Sequence, residues 1–276
     1  SMAADAYRAY AYFRWVDDML DQDGIAVTDR LMFLHRQQDL ISACYAGKRP
    51  FSLQPEEQLV ADLITNHPTE NYGLHLYIDQ MMAVMAFDAQ RKGKLISLGA
   101  LNDYTQSLAI AVTEALHFFI GNGQASPQDQ TRYLAVTGAH ITHMLRDTIE
   151  DTAVGYYNIP ADYLAAHHIT PMDVHHPAYI SWVESRVQLA RHHFYLSRTN
   201  LRRIENWRCR LAGYAYIARF AVVLDAIEKD DYFLRATYPE RKSKKAGAKV
   251  AGTAISQTLK SFMPTRQPKY AIKVNQ

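Results

Sequence analysis

In the stretch His140-Ile141-Thr142-His143-Met144-Leu145-Arg146-Asp147-Thr148-Ile149-Glu150-Asp151, the apolar residues Ile141, Met144, Leu145 and Ile149 fall three and four apart. That is the spacing of one face of an α-helix. Asp147 and Asp151 then lie one turn apart, about 6 Å along the axis, with both carboxylates on one face. A second cluster, Asp17-Asp18-Met19-Leu20-Asp21, repeats the arrangement, and Tyr12, Phe13, Trp15 and Val16 supply its apolar side. Like charges at this spacing repel, so each pair calls for a neutralising cation. Helical spacing recurs almost everywhere else in the chain and no run of period-two alternation stands out, which predicts an all-α fold.

Working outward, the pattern predicts helices over Ala4–Asp21, stopping near Asp23-Gly24, and over Asp29–Gly47, with Pro50 just beyond. Pro55 starts a third. Further helices fit Gly73–Arg91 and Asn102–Ile120, the latter ended by Gly121-Asn122-Gly123. A long helix is expected from Ser126-Pro127, read as N-cap and first helical position, to about Thr152. After a Pro- and His-rich connection from Gly155 to Pro171, two more run over about Pro177–Ile204 and Trp207–Asp231.

With 276 residues, 48% of them apolar, the chain can bury a substantial core. Its 12 Gly and 10 Pro argue against a disordered or fibrous protein. No apolar run reaches the ~18 residues of a membrane span. A net charge of +2 gives no general case for nucleic acid as a partner. The charge is uneven, however: from Arg241 to Gln276 there are nine Lys or Arg and no Asp or Glu. Since no linker divides residues 1–240, one domain is expected there, followed by a basic, weakly structured tail over 241–276 in which local folding stays open. Only Cys44 and Cys209 occur, which fits a reducing, cytoplasmic setting and excludes a disulfide framework. Ser1 ahead of Met2 reads as a cloning scar, so an N-terminal piece is expected to be missing.

Two carboxylate pairs on amphipathic helices suit hard divalent cations. Mg²⁺ takes a few carboxylates together with water and phosphate oxygens. Facing pairs therefore suggest a diphosphate held between helices. Both stretches resemble the squalene and phytoene synthases. Tyr10, Arg14, Asp17, Asp18 and Asp21 match a first motif Tyr-x-x-x-Arg-x-x-Asp-Asp-x-x-Asp, and Leu145, Arg146, Asp147, Glu150 and Asp151 match a second, Leu-Arg-Asp-x-x-Glu-Asp. Weaker likeness extends through Met85-Ala86-Phe87-Asp88, with Val84 in place of a Gly, and through Leu224-Asp225-Ala226-Ile227-Glu228 to the basic Arg241–Lys245.

The resemblance implies a class I isoprenoid synthase helical fold with a central cavity. It implies head-to-head condensation of two C15 or C20 prenyl diphosphates, through a cyclopropylcarbinyl diphosphate, to a squalene- or phytoene-type product. Asp17, Asp21, Asp147 and Asp151 would hold Mg²⁺, or Mn²⁺. Arg146 and Arg14 would meet diphosphate oxygens, and Tyr10, Asp18 and Glu150 would complete the substrate site. NADPH use stays open, since no phosphate-binding glycine motif is present. The alternatives are a synthase that ionises or hydrolyses one prenyl diphosphate, and a non-catalytic lipid-binding or assembly protein. The basic tail would attach the protein peripherally to a membrane.

Departures from the family pattern are equally plain. His143 and His140 stand where the family has Asn and Gln, and both share the face of Asp147 and Asp151; they are expected to line the site. Imidazole is a poorer Mg²⁺ ligand than an amide oxygen, which points toward a softer metal. Tyr156 and Asn158 replace an Arg and a Tyr, and Ala221 lies where a Tyr is expected. The family's N-terminal helix and flap have no counterpart before Ala3. His167, His168, His175 and His176 are read as solvent-exposed, and Met81, Met82, Met85 and Phe87 as core or as a wall for a prenyl chain.

Overall fold

The structure, a computed structural model, describes residues 1–22, 24–48, 52–67, 72–121 and 126–262. Among them there are helices and no strand: α1 (Met2–Leu20), α2 (Val27–Tyr45), α3 (Pro55–Asn66), α4 (Tyr72–Arg91), α5 (Leu98–Phe119), α6 (Leu134–Ala153), α7 (Ala161–His167), α8 (Pro177–Arg203), α9 (Trp207–Lys229) and α10 (Lys244–Ser261), with a 3₁₀ turn at Pro239–Lys242. Several starts follow from local chemistry. Gln54 and Glu57 form a capping box around Pro55 at α3, while Ser97, Asn206 and Ser243 accept the orphan amides of α5, α9 and α10.

Two hydrophobic clusters organise the helices. One joins α1 to α4 with the C-terminal half of α5, through Tyr12, Phe13, Val16, Leu63, Ile78 and Phe118. The other is built by α6, α8 and α9, through Ile141, Leu145, Val183, Val187, Leu224 and Ile227. Helix α4 lies along α5 and α6 along α8. The acidic faces of α1 and α6 meet where the two clusters adjoin. A buried polar link braces the first cluster. Tyr12 Oη donates to Gln37 at 3.1 Å, Gln37 donates to Glu57 at 3.0 Å, and Arg36 holds Glu57 with both edges, pulling that carboxyl down to about 2.

Three expectations are corrected. Helix α6 begins at Leu134, not at Ser126-Pro127. Asp129 turns the backbone by accepting the amide and hydroxyl of Thr131 at 2.8 and 2.6 Å. Arg132 is drawn inward, where Glu114 of α5 receives Nε and Nη2 at 2.8 Å each. The connection after Gly155 contains α7. Finally, Lys244–Ser261 is no loose tail: α10 lies along α9, burying Ala246, Ala254 and Thr258. Lys249 pairs with Asp225 at 2.6 Å, and Arg210 donates to Ser261 at 2.9 Å with its guanidinium 4.2 Å from the Phe262 ring. The turn signals at Asp23, Pro50 and Asn122-Gly123, and the chain after Phe262, lie outside the described residues. No described helix is long and apolar enough to cross a membrane.

Candidate active site

Helices α1, α4, α5 and α6 and the loop after α6 enclose a cavity of about 440 Å³. From α1 come Arg14, Asp17 and Asp21; from α6, His140, His143, Met144, Asp147 and Asp151. Asp88 and Arg91 of α4, Tyr104 of α5, and Tyr156 and Asn158 complete the lining. The loop is fixed by its backbone. Gly155 has φ +92°, open to glycine at little cost, and its carbonyl accepts the Gly93 amide at 2.8 Å, so the turn after α6 lies against the turn after α4.

The aspartates have unequal surroundings. Burial and the nearby Asp21 push Asp17 up to about 6, opposed only by Arg14 at the rim, 3.3 Å away. Asp21 accepts Tyr156 Oη at 3.1 Å. Burial raises Asp151, partly offset by the Asn158 amide at 2.7 Å. Burial alone would raise Asp147 too, but Arg146, at 2.5 Å through Nε, and His143, at 2.8 Å, hold it well below the usual carboxylate range. Asp88 is raised by burial, although it accepts Arg91 Nε at 2.6 Å and Tyr104 Oη at 3.0 Å. His140 is pressed edge-on against Tyr104 at 4.9 Å, and burial pushes it down to about 3, so it is neutral at pH 7; its Nδ1 has no partner among the described residues.

Of the residues singled out by sequence, Arg14, Asp17, Asp21, His140, His143, Asp147 and Asp151 meet in this cavity. Tyr10 is 69% exposed and turned away, and Asp18 pairs at 2.6 Å with Arg14 at the surface. Arg146 and Glu150 open instead onto an adjoining pocket of about 260 Å³ that they share with Asp147, Tyr238, Arg241 and Lys242. The methionines Met82 and Met85 are buried in the first cluster, so Met144 is the aliphatic side chain among the cavity's lining residues. His176 caps α8 and His175 stacks near Phe233, and neither joins a ligand cluster. Sequence reasoning passed over Arg91 and Tyr104 as site residues. Asp88 stood in the weak Met85–Asp88 match, and Tyr156 and Asn158 registered only as departures.

Do these residues fit a divalent cation? Among the described residues no three His, Cys, Asp or Glu side chains converge closely enough to chelate an ion by themselves. The cavity nevertheless offers hard oxygen donors from two walls, those of Asp17 and Asp21 from α1 and of Asp147 and Asp151 from α6. An ion that keeps its waters and takes one or two carboxylates plus phosphate oxygens fits this set, which is Mg²⁺ chemistry.

A family model described as squalene/phytoene synthase matches residues 1–244. Among solved structures, the squalene synthase HpnC from Alicyclobacillus acidocaldarius superposes with a TM-score of 0.67 at 19% identity, covering 85% of this chain and 86% of that one. A dehydrosqualene synthase in complex with ligand gives a TM-score of 0.68 at 16% identity, covering 94% and 87%. At such identities the likeness is one of fold. No curated protein matches the chain.

Proposed function

The chain belongs to the squalene/phytoene synthase family and has the helical isoprenoid synthase fold, and from that premise we propose that it condenses two C15 or C20 prenyl diphosphates head to head, through a cyclopropylcarbinyl diphosphate, to a squalene- or phytoene-type hydrocarbon. The supporting observation is a single cavity faced by Asp17 and Asp21 from α1 and by Asp147 and Asp151 from α6. Asp17, Asp21 and Asp151, with Asp147, are the residues that would hold Mg²⁺ or Mn²⁺; when bound, the ion supplies charge stabilisation to a departing diphosphate.

The chain's own groups do the rest. Arg14 at the mouth presents guanidinium donors to diphosphate oxygens, and Arg146 orients Asp147 while reaching toward Arg241 and Lys242 in the adjoining basic pocket. His140, kept neutral by burial, adds no charge to repel an allylic cation. Tyr104 and Tyr156 fix Asp88 and Asp21 by hydrogen bonds, so the carboxylates keep their places while charge moves. A cytoplasmic site at a membrane face, reached through α10, belongs to the same reading, because both substrate and product partition into lipid.

The alternatives are a single-substrate synthase and a non-catalytic member of the family. Mass spectrometry after incubation with C15 and C20 diphosphates and Mg²⁺, with and without NADPH, decides. A hydrocarbon of twice the substrate's carbon count supports condensation. Diphosphate release with a free prenyl alcohol assigns the single-substrate reaction, and unconsumed substrate leaves a non-catalytic role.

A further inference from the structure

Arg91, the last residue of α4, is 8% exposed and has nearly every side occupied. Its Nε donates to Asp88 at 2.6 Å and its Nη1 to Asn158 at 3.0 Å. The guanidinium carbon lies 4.9 Å from the ring centres of both Tyr104 and Tyr156, and 5.7 Å from that of Phe87. A guanidinium stacked and forked in this way is a fixed charge with no freedom to swing onto a substrate.

One polar contact and one ring contact of Arg91 lead to the two acidic helices. Asn158, which accepts from Arg91, donates at 2.7 Å to Asp151. Tyr156, which stacks on Arg91, donates at 3.1 Å to Asp21. Five carboxylates line the cavity, those of Asp17, Asp21, Asp88, Asp147 and Asp151. Among the described lining residues Arg91 is the one buried arginine, since the Arg14 side chain is 59% exposed and shared with Asp18.

We propose that Arg91 is a built-in counter-charge of the cavity, offsetting Asp88 by direct contact and Asp151 through Asn158, so that the site takes up fewer ions than five carboxylates would demand. The inference rests on the metal-dependent reading above and deepens it by assigning the residue that limits how many ions the site takes up. Arg91 is thus a positioning residue, acting on bound metal through charge.

Mn²⁺ binding to the full chain, followed by electron paramagnetic resonance without substrate, tests this in Arg91→Lys, Arg91→Gln and Arg91→Met. Lys keeps the charge, Gln keeps polar edges without charge, and Met keeps bulk alone. Gln and Met should each bind one further Mn²⁺ or bind it at least tenfold more tightly, with Lys close to the wild type. Should Met fail to fold, Gln carries the comparison. Equal Mn²⁺ binding in wild type and Gln overturns the proposal, as does an affinity order that follows melting temperature instead of charge. Wild type, Gln and Met that all bind no Mn²⁺ overturn the proposal, and binding that then appears on adding inorganic diphosphate keeps the metal-dependent reading apart from it. A charge-ordered series together with failed condensation leaves the counter-charge standing and removes only the reaction.

Discussion

Gly138→Ala sets two effects of opposite sign against each other on the helix that carries His140, His143, Asp147 and Asp151. Alanine in a helix interior is better than glycine by about 1 kcal/mol, which alone predicts stabilisation. Yet a Cβ at Gly138 would lie 2.9 and 3.0 Å from ring carbons of Phe194 and 3.0 Å from the Ala190 carbonyl oxygen of α8. Comfortable carbon contacts need about 3.5–4.0 Å, so α6 and α8 must part by roughly 0.5–1 Å. Neither neighbour yields readily: the Phe194 ring is buried in the second cluster and the carbonyl belongs to a helix backbone. Overpacking of this kind costs about 1–3 kcal/mol, which exceeds the gain in propensity at most of that range. The net loss should be about 0–2 kcal/mol, a fall in Tm of up to about 8 °C for a chain of this size. Moving α6 also shifts Asp147 and Asp151 relative to α1, for which about a tenfold or greater loss in kcat/KM is expected. Calorimetry and a diphosphate-release assay measure the two effects. A Gly138→Ala protein that melts higher than the wild type refutes the argument.

Three further outcomes follow from the same structure. Arg132→Met strands the buried Glu114 carboxylate with only Tyr133 as partner, and should cost about 3–5 kcal/mol, or about 6–20 °C in Tm, with Arg132→Leu/Glu114→Leu recovering most of it; a loss below about 1 kcal/mol contradicts this. Asp17 has its folded pKa raised to about 6, so the folded state keeps a proton that the unfolded chain gives up near pH 4, and metal-free stability falls as pH rises through that window. Asp17→Asn should therefore melt above the metal-free wild type at pH 7.5 but not at pH 4, and should lose most activity; an equal margin at both pH values rules out the assignment. On the outer side of α10, Ile255, Leu259 and Phe262 are exposed beside Lys260, with Lys245 exposed at its N-terminal end, so Lys245→Glu/Lys260→Glu should cut sedimentation with anionic vesicles about tenfold at low salt, and undiminished sedimentation removes α10 from membrane binding.

The helix bearing Asp147 and Asp151 was legible because its signals are local: apolar residues three and four apart, and carboxylates one turn apart. The same holds for α1. What escaped was decided at long range. The Ser126-Pro127 signature looks like a helix start, but Glu114 on another helix claims Arg132 and delays α6 to Leu134. Helix α10 hid because it packs through Ala246, Ala254 and Thr258, small residues that leave little apolar pattern beside so many lysines. Arg91 at the end of an ordinary helix gives no hint that Asn158 and Tyr156, more than sixty residues later, will surround it. Tyr10 is the opposite case, a motif position whose side chain is exposed outside the lining of the cavity.

The bond between the Gly93 amide and the Gly155 carbonyl joins the two turns beneath the cavity without enlisting any side chain. A closure made from peptide groups is indifferent to mutation at its neighbours, provided the two glycines keep their positive φ. Substitutions at 156, 158 or 91 therefore change the charge and the rings around the cavity while this backbone contact stays in place.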